Sequence, residues 1–362
     1  GLANHPEVRE ADRRAAEENG LATPMGARMM TGNTDHHDEL EQSLSEFVQK
    51  EDTFILNYGY QGVMSVVDAV TDRKDIIIYD SQSHACIIDG IRMHNGKHMS
   101  FQHNDIQHLE KQLEKANRIL NPDEGGILVV TEGVFGMSGD EGLVKEVVQL
   151  KDRYNFRLLV DDAHGFGTMG PNGSGVPAKQ GVQEDVDLYF STFAKSMASI
   201  GAFVSGSEDI VYFLRYNMRS QIFAKSLPLP IIIGNKKRLE LLRSSPKYKD
   251  QLWHNVENLQ QGLIQAGFNI GNTTTPVTPV FLNGTVQEAT NLTTDLRENY
   301  DIFCSVVIYP VVPRGTILLR LIPTAVHSDE DVELTIQAFK DVAKNLREKK
   351  YDKSRLIEIA EI

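Results

Sequence analysis

Four short apolar runs constrain this chain more than anything else in it: residues 75–79 (DIIIY), 126–130 (GILVV), 156–160 (FRLLV) and 187–191 (DLYFS). Runs of that length, with few polar interruptions, suit strands buried on both faces. Helical periodicity near 104–120 and 141–154 supplies crossovers between some of them. Strands joined through crossovers run parallel, and the crossovers are right-handed. The expectation is an α/β domain with a mainly parallel sheet flanked by helices.

The rest of the chain frames that domain. An opening helix is expected, with Asn4 as its cap, Pro6 in its first turn and Gly20 as its stop. Leu40, Leu44, Phe47 and Val48 then mark an amphipathic helix. The sequence SLPLP at 226–230 breaks the rhythm, and a long charged helical region follows at about 234–266. Strand-like pieces ending at ILLRL and a helix from about Asp329 complete a smaller α+β domain. At 362 residues the chain exceeds one ordinary core, so the division expected is a large domain over 1–233 and a small one over 234–362.

Ligands in open α/β sheets bind beyond the carboxyl ends of the strands. Here the four runs lead into Asp80, Ser81 and His84; Thr131 and Glu132; Asp161, Asp162 and His164; and Thr192 and Lys195. A single strand-end aspartate is commonly a helix cap, but four such ends together suggest one convergent pocket. Other patterns lead elsewhere. Gly165, Gly167 and Gly170 spell a dinucleotide fingerprint, yet the chain continues as PNGSGVP and cannot open the helix that fingerprint needs. His94, His98, His103 and His108 are irregularly spaced, with no Cys or acidic residue at ligand spacing. Asp161 and Asp162 are adjacent on a strand and point to opposite faces, so they do not share a metal ion.

The remaining chemistry fits pyridoxal 5′-phosphate. That cofactor needs a lysine for a Schiff base, a carboxylate for its pyridine nitrogen, and donors for its phosphate. Lys195, among the small residues of STFAKSMASIG, is expected to be desolvated enough to act as an amine nucleophile and base. Asp161, at a buried strand end, is costly unless paired with a cation such as a pyridinium.

STFAKS, VDDAHGFG, DSQSHACIIDG, TEGVFGMSGD, GNTDHHDELE and LLRLIPTAVH occur in an order that resembles the α-oxoamine synthases across nearly the whole chain. These are fold-type I pyridoxal-phosphate enzymes that condense an amino acid with an acyl-CoA and release carbon dioxide. The resemblance implies a role for each motif residue. Lys195 would carry the cofactor and transfer the proton, Asp161 would pair with the ring nitrogen, and His164 would bond its phenolic oxygen. His84 would stack on the ring and orient the substrate. Thr192 and the backbone of Gly59, Tyr60 and Gln61 would hold the phosphate, where a helix start favours an anion. Arg320 would clamp the substrate carboxylate, as a planar fork can.

Two departures stand out. The Asn with which relatives contact the substrate carboxylate falls shortly before the position where this sequence begins. Where relatives donate a phosphate-binding hydroxyl to the neighbouring subunit, this chain has Ala224, and Ser226 is the substitute expected. Ser196 directly after Lys195 resembles the serine palmitoyltransferases, implying L-serine, a long-chain acyl-CoA and a homodimer with active sites at the subunit interface. Glycine C-acetyltransferase and 8-amino-7-oxononanoate synthase share the framework, and a catalytically silent lipid-binding scaffold is the alternative from another class.

Composition sets the outer limits. With 37 basic and 50 acidic residues, the formal charge of −13 argues against a nucleic-acid surface. Cys86 and Cys304 make no disulfide framework, and no apolar run reaches the ~18 residues of a membrane span. A cytoplasmic protein is expected, with peripheral contact at the inner face of the membrane as a variant of that reading.

Overall fold

The computed structural model describes residues 1–352. These form two compact units: Gly1–Phe135 with Glu141–Pro246, and Gly136–Asp140 with the chain from Lys247 on.

The first unit begins with α1 (Pro6–Asn19) and α2 (Asp35–Val48). Strands and helices then alternate: β1 (Asp52–Leu56), α3 (Gly59–Val70), β2 (Ile76–Asp80), α4 (Ala85–Met93), β3 (Lys97–Phe101), α5 (Ile106–Ile119), β4 (Ile127–Glu132), α6 (Val144–Gln149) and β5 (Arg157–Asp161). After α7 (Val176–Lys179) come β6 (Leu188–Thr192), β7 (Ala202–Gly206), α8 (Glu208–Asn217), α9 (Arg219–Ile222) and α10 (Leu229–Ser244). One sheet of seven strands results, in the order β1-β7-β6-β5-β4-β2-β3. Strands β2 to β6 pair in parallel, while β7 is antiparallel to both β6 and β1. The link from β6 to β7 is too short for a crossover, so a reversal is the geometry open to it. Phe54, Leu56, Val63, Ile77, Leu128, Leu159, Phe190 and Val204 belong to one buried core cluster.

The fold class matches the expectation, and the four expected strands extend beyond their apolar runs, by one residue in β2, β5 and β6 and by two in β4. Asp80, Glu132, Asp161 and Thr192 are therefore the last residues of β2, β4, β5 and β6. The cap of α1 is His5 rather than Asn4, which lies in a preceding 3₁₀ turn. Leu40, Leu44, Phe47 and Val48 are all buried.

The second unit holds α11 (Lys247–Gln265), β8 (Thr278–Leu282), α12 (Val286–Tyr300), β9 (Ser305–Val307), β10 (Ile317–Leu321) and α13 (Asp329–Arg347). Its antiparallel sheet has the order β8-β10-β9. The long helical region is thus two helices, and the boundary expected at 233/234 lies at Pro246 instead. The reason is packing: α10 lies against α1 and α2, and Arg238 grips Asp12 with two bonds of 2.8 and 2.9 Å. No helix among the described residues is long and apolar enough to cross a membrane.

Candidate active site

Lys195 sits in the turn between β6 and β7, and Thr192 builds that turn. The Thr192 hydroxyl donates to the Gly201 carbonyl (2.9 Å) and accepts the Ala194 N–H (3.2 Å). Gly201 has φ +115°, a conformation that side-chain-bearing residues rarely adopt. The turn brings the Lys195 amine to 3.1 Å from His164 Nε2. Lys195 is exposed within the single chain, so the expected desolvation by its small neighbours is not found. It lies past the last strand residue, where the sheet no longer covers it, and an imidazole is its close polar neighbour.

Asp161 and Asp162 diverge, as adjacent strand-end residues must. Asp162 is fully enclosed, accepts the Val176 N–H (2.8 Å) and the Tyr189 hydroxyl (2.9 Å), and fills the space a Cβ would need at Gly133, Gly165 and Gly175. Those contacts account for Gly165 in the GxGxxG pattern: the carboxylate takes the room a side chain would occupy. Asp161 faces the candidate site. It is buried and accepts the Ala163 N–H at 3.1 Å, with the Cys86 thiol 3.9 Å from its other oxygen. Burial pushes its carboxyl up to about 6. Such a group gains from a cationic partner.

His84 caps α4, its Nδ1 accepting the Cys86 N–H at 3.2 Å, with the Cys86 sulfur 2.9 Å away. Its own backbone N–H donates to Glu132. Two participants escaped the sequence reading here, Cys86 and the side chain of Glu132. The signal for Glu132 is its position at a strand end, which by itself implies no role. Cys86 carried no signal, because only the turn into α4 brings it between His84 and Asp161.

At the start of α3, Gly62 N–H donates to the Tyr58 carbonyl (2.8 Å) as the first helical bond, and no side chain caps the helix. The N–H groups of Gly59, Tyr60 and Gln61 precede that bond and face an end that favours anions. A Cβ on Gly59 would stand 3.0 Å from the Thr192 hydroxyl, so helix start and β6 end meet there. The Tyr60 ring lies edge-on to His84, centroids 6.1 Å apart. Lys195, His164, Asp161, His84, Thr192 and the α3 start thus belong to one end of one sheet. Ser226 differs. Its hydroxyl is enclosed by its own chain and makes no hydrogen bond, which leaves it poorly placed to serve a neighbouring subunit's phosphate.

Arg320 belongs to the second unit, on β10 opposite Pro279 and Ser305. Its Nε is buried without a partner, it forms no ion pair among the described residues, and burial pushes its guanidinium down from the usual range. His103 and His108 bond to Asp80 and to the Gln102 N–H respectively, which accounts for two of the four clustered histidines.

An amine, a buried carboxylate, and an anion cradle whose first glycine lies tightly against Thr192 are the three fixtures pyridoxal 5′-phosphate requires, so these residues fit it.

The profile of a family described as aminotransferase class I and II matches residues 1–339. A cysteate-C-fatty acyltransferase of Capnocytophaga ochracea is 57% identical over 346 residues, 96% of this chain and 82% of that protein. A serine palmitoyltransferase of Sphingobacterium spiritivorum is 35% identical over 344 residues, 94% of this chain and 84% of that one. Among solved structures, a variant serine palmitoyltransferase from S. paucimobilis with a bound PLP–myriocin aldimine aligns with TM-score 0.90 at 30% identity, covering 96% of this chain and 86% of its own.

Proposed function

Since this chain belongs to the aminotransferase class I and II family, and within it to the α-oxoamine synthases, we propose that it condenses cysteate with a fatty acyl-CoA. It is a pyridoxal-phosphate-dependent acyltransferase of that family. The observation that carries the amino-acid choice is the 57% identity to a cysteate-C-fatty acyltransferase, against 35% to the serine palmitoyltransferase. The pointer to serine was Ser196. Its hydroxyl is buried without a partner, packed against Gly167, so the residue after Lys195 is better read as packing than as substrate recognition.

When bound, the cofactor supplies a carbonyl carbon for attachment and a protonated ring that draws electrons from the substrate Cα. Lys195 attaches the cofactor and takes the Cα proton, with His164 beside its amine. Asp161 holds the proton on the ring nitrogen. His84, its Nδ1 engaged with Cys86, would lie against the ring. The start of α3 and Thr192 hold the phosphate. Arg320 takes an anionic group of the amino acid, a need sharpened by cysteate, which carries both a carboxylate and a sulfonate. In balance, a bond forms between Cα and the acyl carbon and the thioester C–S bond breaks, releasing CoA. The bond from Cα to the carboxylate breaks to give carbon dioxide, and a proton returns to Cα.

The test is CoA release from palmitoyl-CoA with cysteate, serine, glycine or alanine, side by side. Cysteate should give the highest kcat/KM. Serine is the second reading, favoured by the alignment with serine palmitoyltransferase, and a higher kcat/KM for serine would establish it. The same reading carries a homodimer, checked by sedimentation.

A further inference from the structure

Glu132 and Asp161 end neighbouring parallel strands in direct register, so their side chains leave the same face of the sheet. Both are buried. Two carboxylates so placed cannot both ionise without a cation for each. The groups that bear on Glu132 from the surrounding elements are Asp161 on β5, Asp80 on β2, the His84 N–H from α4, and Lys195 beyond β6. Asp80 is itself engaged by His103 at 3.1 Å. Lys195 is the one cation in that set, and in the catalytic reading its amine is taken up by the cofactor.

We propose that Glu132 is held as the neutral carboxylic acid and acts as a positioning residue. Its carbonyl oxygen receives the His84 N–H and sets the start of α4, and its proton leaves the negative charge on Asp161 alone. This rests on the reading of Asp161 as partner of the ring nitrogen. Physically, an ionised Glu132 beside Asp161 would split the pyridinium's attraction between two carboxylates and draw the ring off Asp161. A neutral acid keeps the His84 contact without that competition. Burial and the neighbouring Asp161 push the Glu132 carboxyl well above the usual range, in the direction this arrangement needs.

Infrared spectroscopy of holoenzyme labelled with ¹³C at glutamate carboxyls separates glutamates from aspartates, Asp162 included. Glu132 is the glutamate among the described residues whose carboxyl is raised. One labelled carboxylic-acid C=O band is expected at neutral pH, shifting in D₂O and absent in Glu132→Gln. Absence of that band in the wild type would overturn the proposal. A second measurement is pyridoxal-phosphate affinity. Glu132→Gln, whose amide oxygen still accepts the His84 N–H, should bind as the wild type does. Glu132→Ala should lose about tenfold or more, because it removes the acceptor that fixes the His84 N–H at the start of α4. A Gln variant as weak as the Ala variant would show that the charge is needed, against the proposal. The band is read without turnover, so a failure of the cysteate assignment leaves this result standing.

Discussion

The Lys195 amine lies 3.1 Å from Nε2 of His164, joining the turn after β6 to the turn after β5. The pairing follows from the parallel register of those strands, in which Asp161 stands opposite Phe190. A base that takes the Cα proton needs its amine aimed, and the imidazole is the group placed to aim it. His164→Ala should therefore keep cofactor attachment at Lys195, trapped by borohydride and read by mass spectrometry. Exchange of the substrate Cα proton with solvent should slow by about 100-fold, the scale of a mispositioned acid–base group. Wild-type exchange in that variant would remove His164 from the proton transfer.

Cofactor binding should depend on Asp161 in a defined direction. Its carboxyl sits at about 6 in the free protein because burial raises it, whereas the bound pyridinium favours the carboxylate. Affinity for pyridoxal phosphate is then full above about 6 and falls as pH drops below that value, by roughly tenfold per unit. Asp161→Asn should flatten this limb. Fluorescence titration of the apo-protein from pH 7 to 5 measures it, and an unchanged limb in the Asn variant would assign the dependence to another group.

Gly59→Ala isolates the anion cradle. The added Cβ would meet the Thr192 hydroxyl at 3.0 Å, while Gly59 needs no left-handed backbone. The buried Thr192 side chain must give by a few tenths of an ångström to admit it, so melting temperature should fall only slightly. Pyridoxal-phosphate affinity should nonetheless fall about tenfold, and pyridoxal without phosphate should be affected far less. Equal losses for both would place Gly59 away from the phosphate.

Arg320→Ala should raise the apparent Kd for cysteate by roughly 10- to 100-fold, the ~1.5–3 kcal/mol of a charged hydrogen bond. Arg320→Lys should recover only part, since a point charge cannot reproduce the guanidinium fork. Cofactor affinity should be untouched. Spectral titration with the amino acid gives the constant, and a variant that binds cysteate as the wild type does but melts at a lower temperature would make Arg320 structural.

Stability should carry the mark of His37. This fully enclosed ring bonds Thr34 Oγ1 (2.8 Å) and the Leu227 carbonyl (3.2 Å), a pattern its neutral form satisfies. Burial pushes its imidazole down to about 4 from an ordinary value of 6.5. Between those values the unfolded chain binds the proton and the folded one does not, so stability rises with pH. Acidifying from 6.5 to 4 should cost up to about 3 kcal/mol through this residue. Denaturant melts of the wild type and His37→Gln across that range should diverge, with the shallower slope in the variant. Parallel slopes would contradict the assignment.

The sequence by itself determined the order of β2, β4, β5 and β6 and the presence of α5 and α6 between some of them, because apolar runs and helical periods are local patterns. It also placed Asp161, His164, Thr192 and Lys195 at strand ends, since the runs stop where those residues begin. It did not reveal β3, whose edge position leaves residues such as Lys97 and His98 exposed and removes the apolar signature. Nor did it reveal β7, which reverses direction against the alternation around it. The register that sets Glu132 beside Asp161, the meeting of Gly59 with Thr192, and the seating of α10 on α1 and α2 were decided only by the tertiary structure. Each joins segments far apart in the chain, and such contacts arise from how strands pair and helices pack, which local periodicity does not encode.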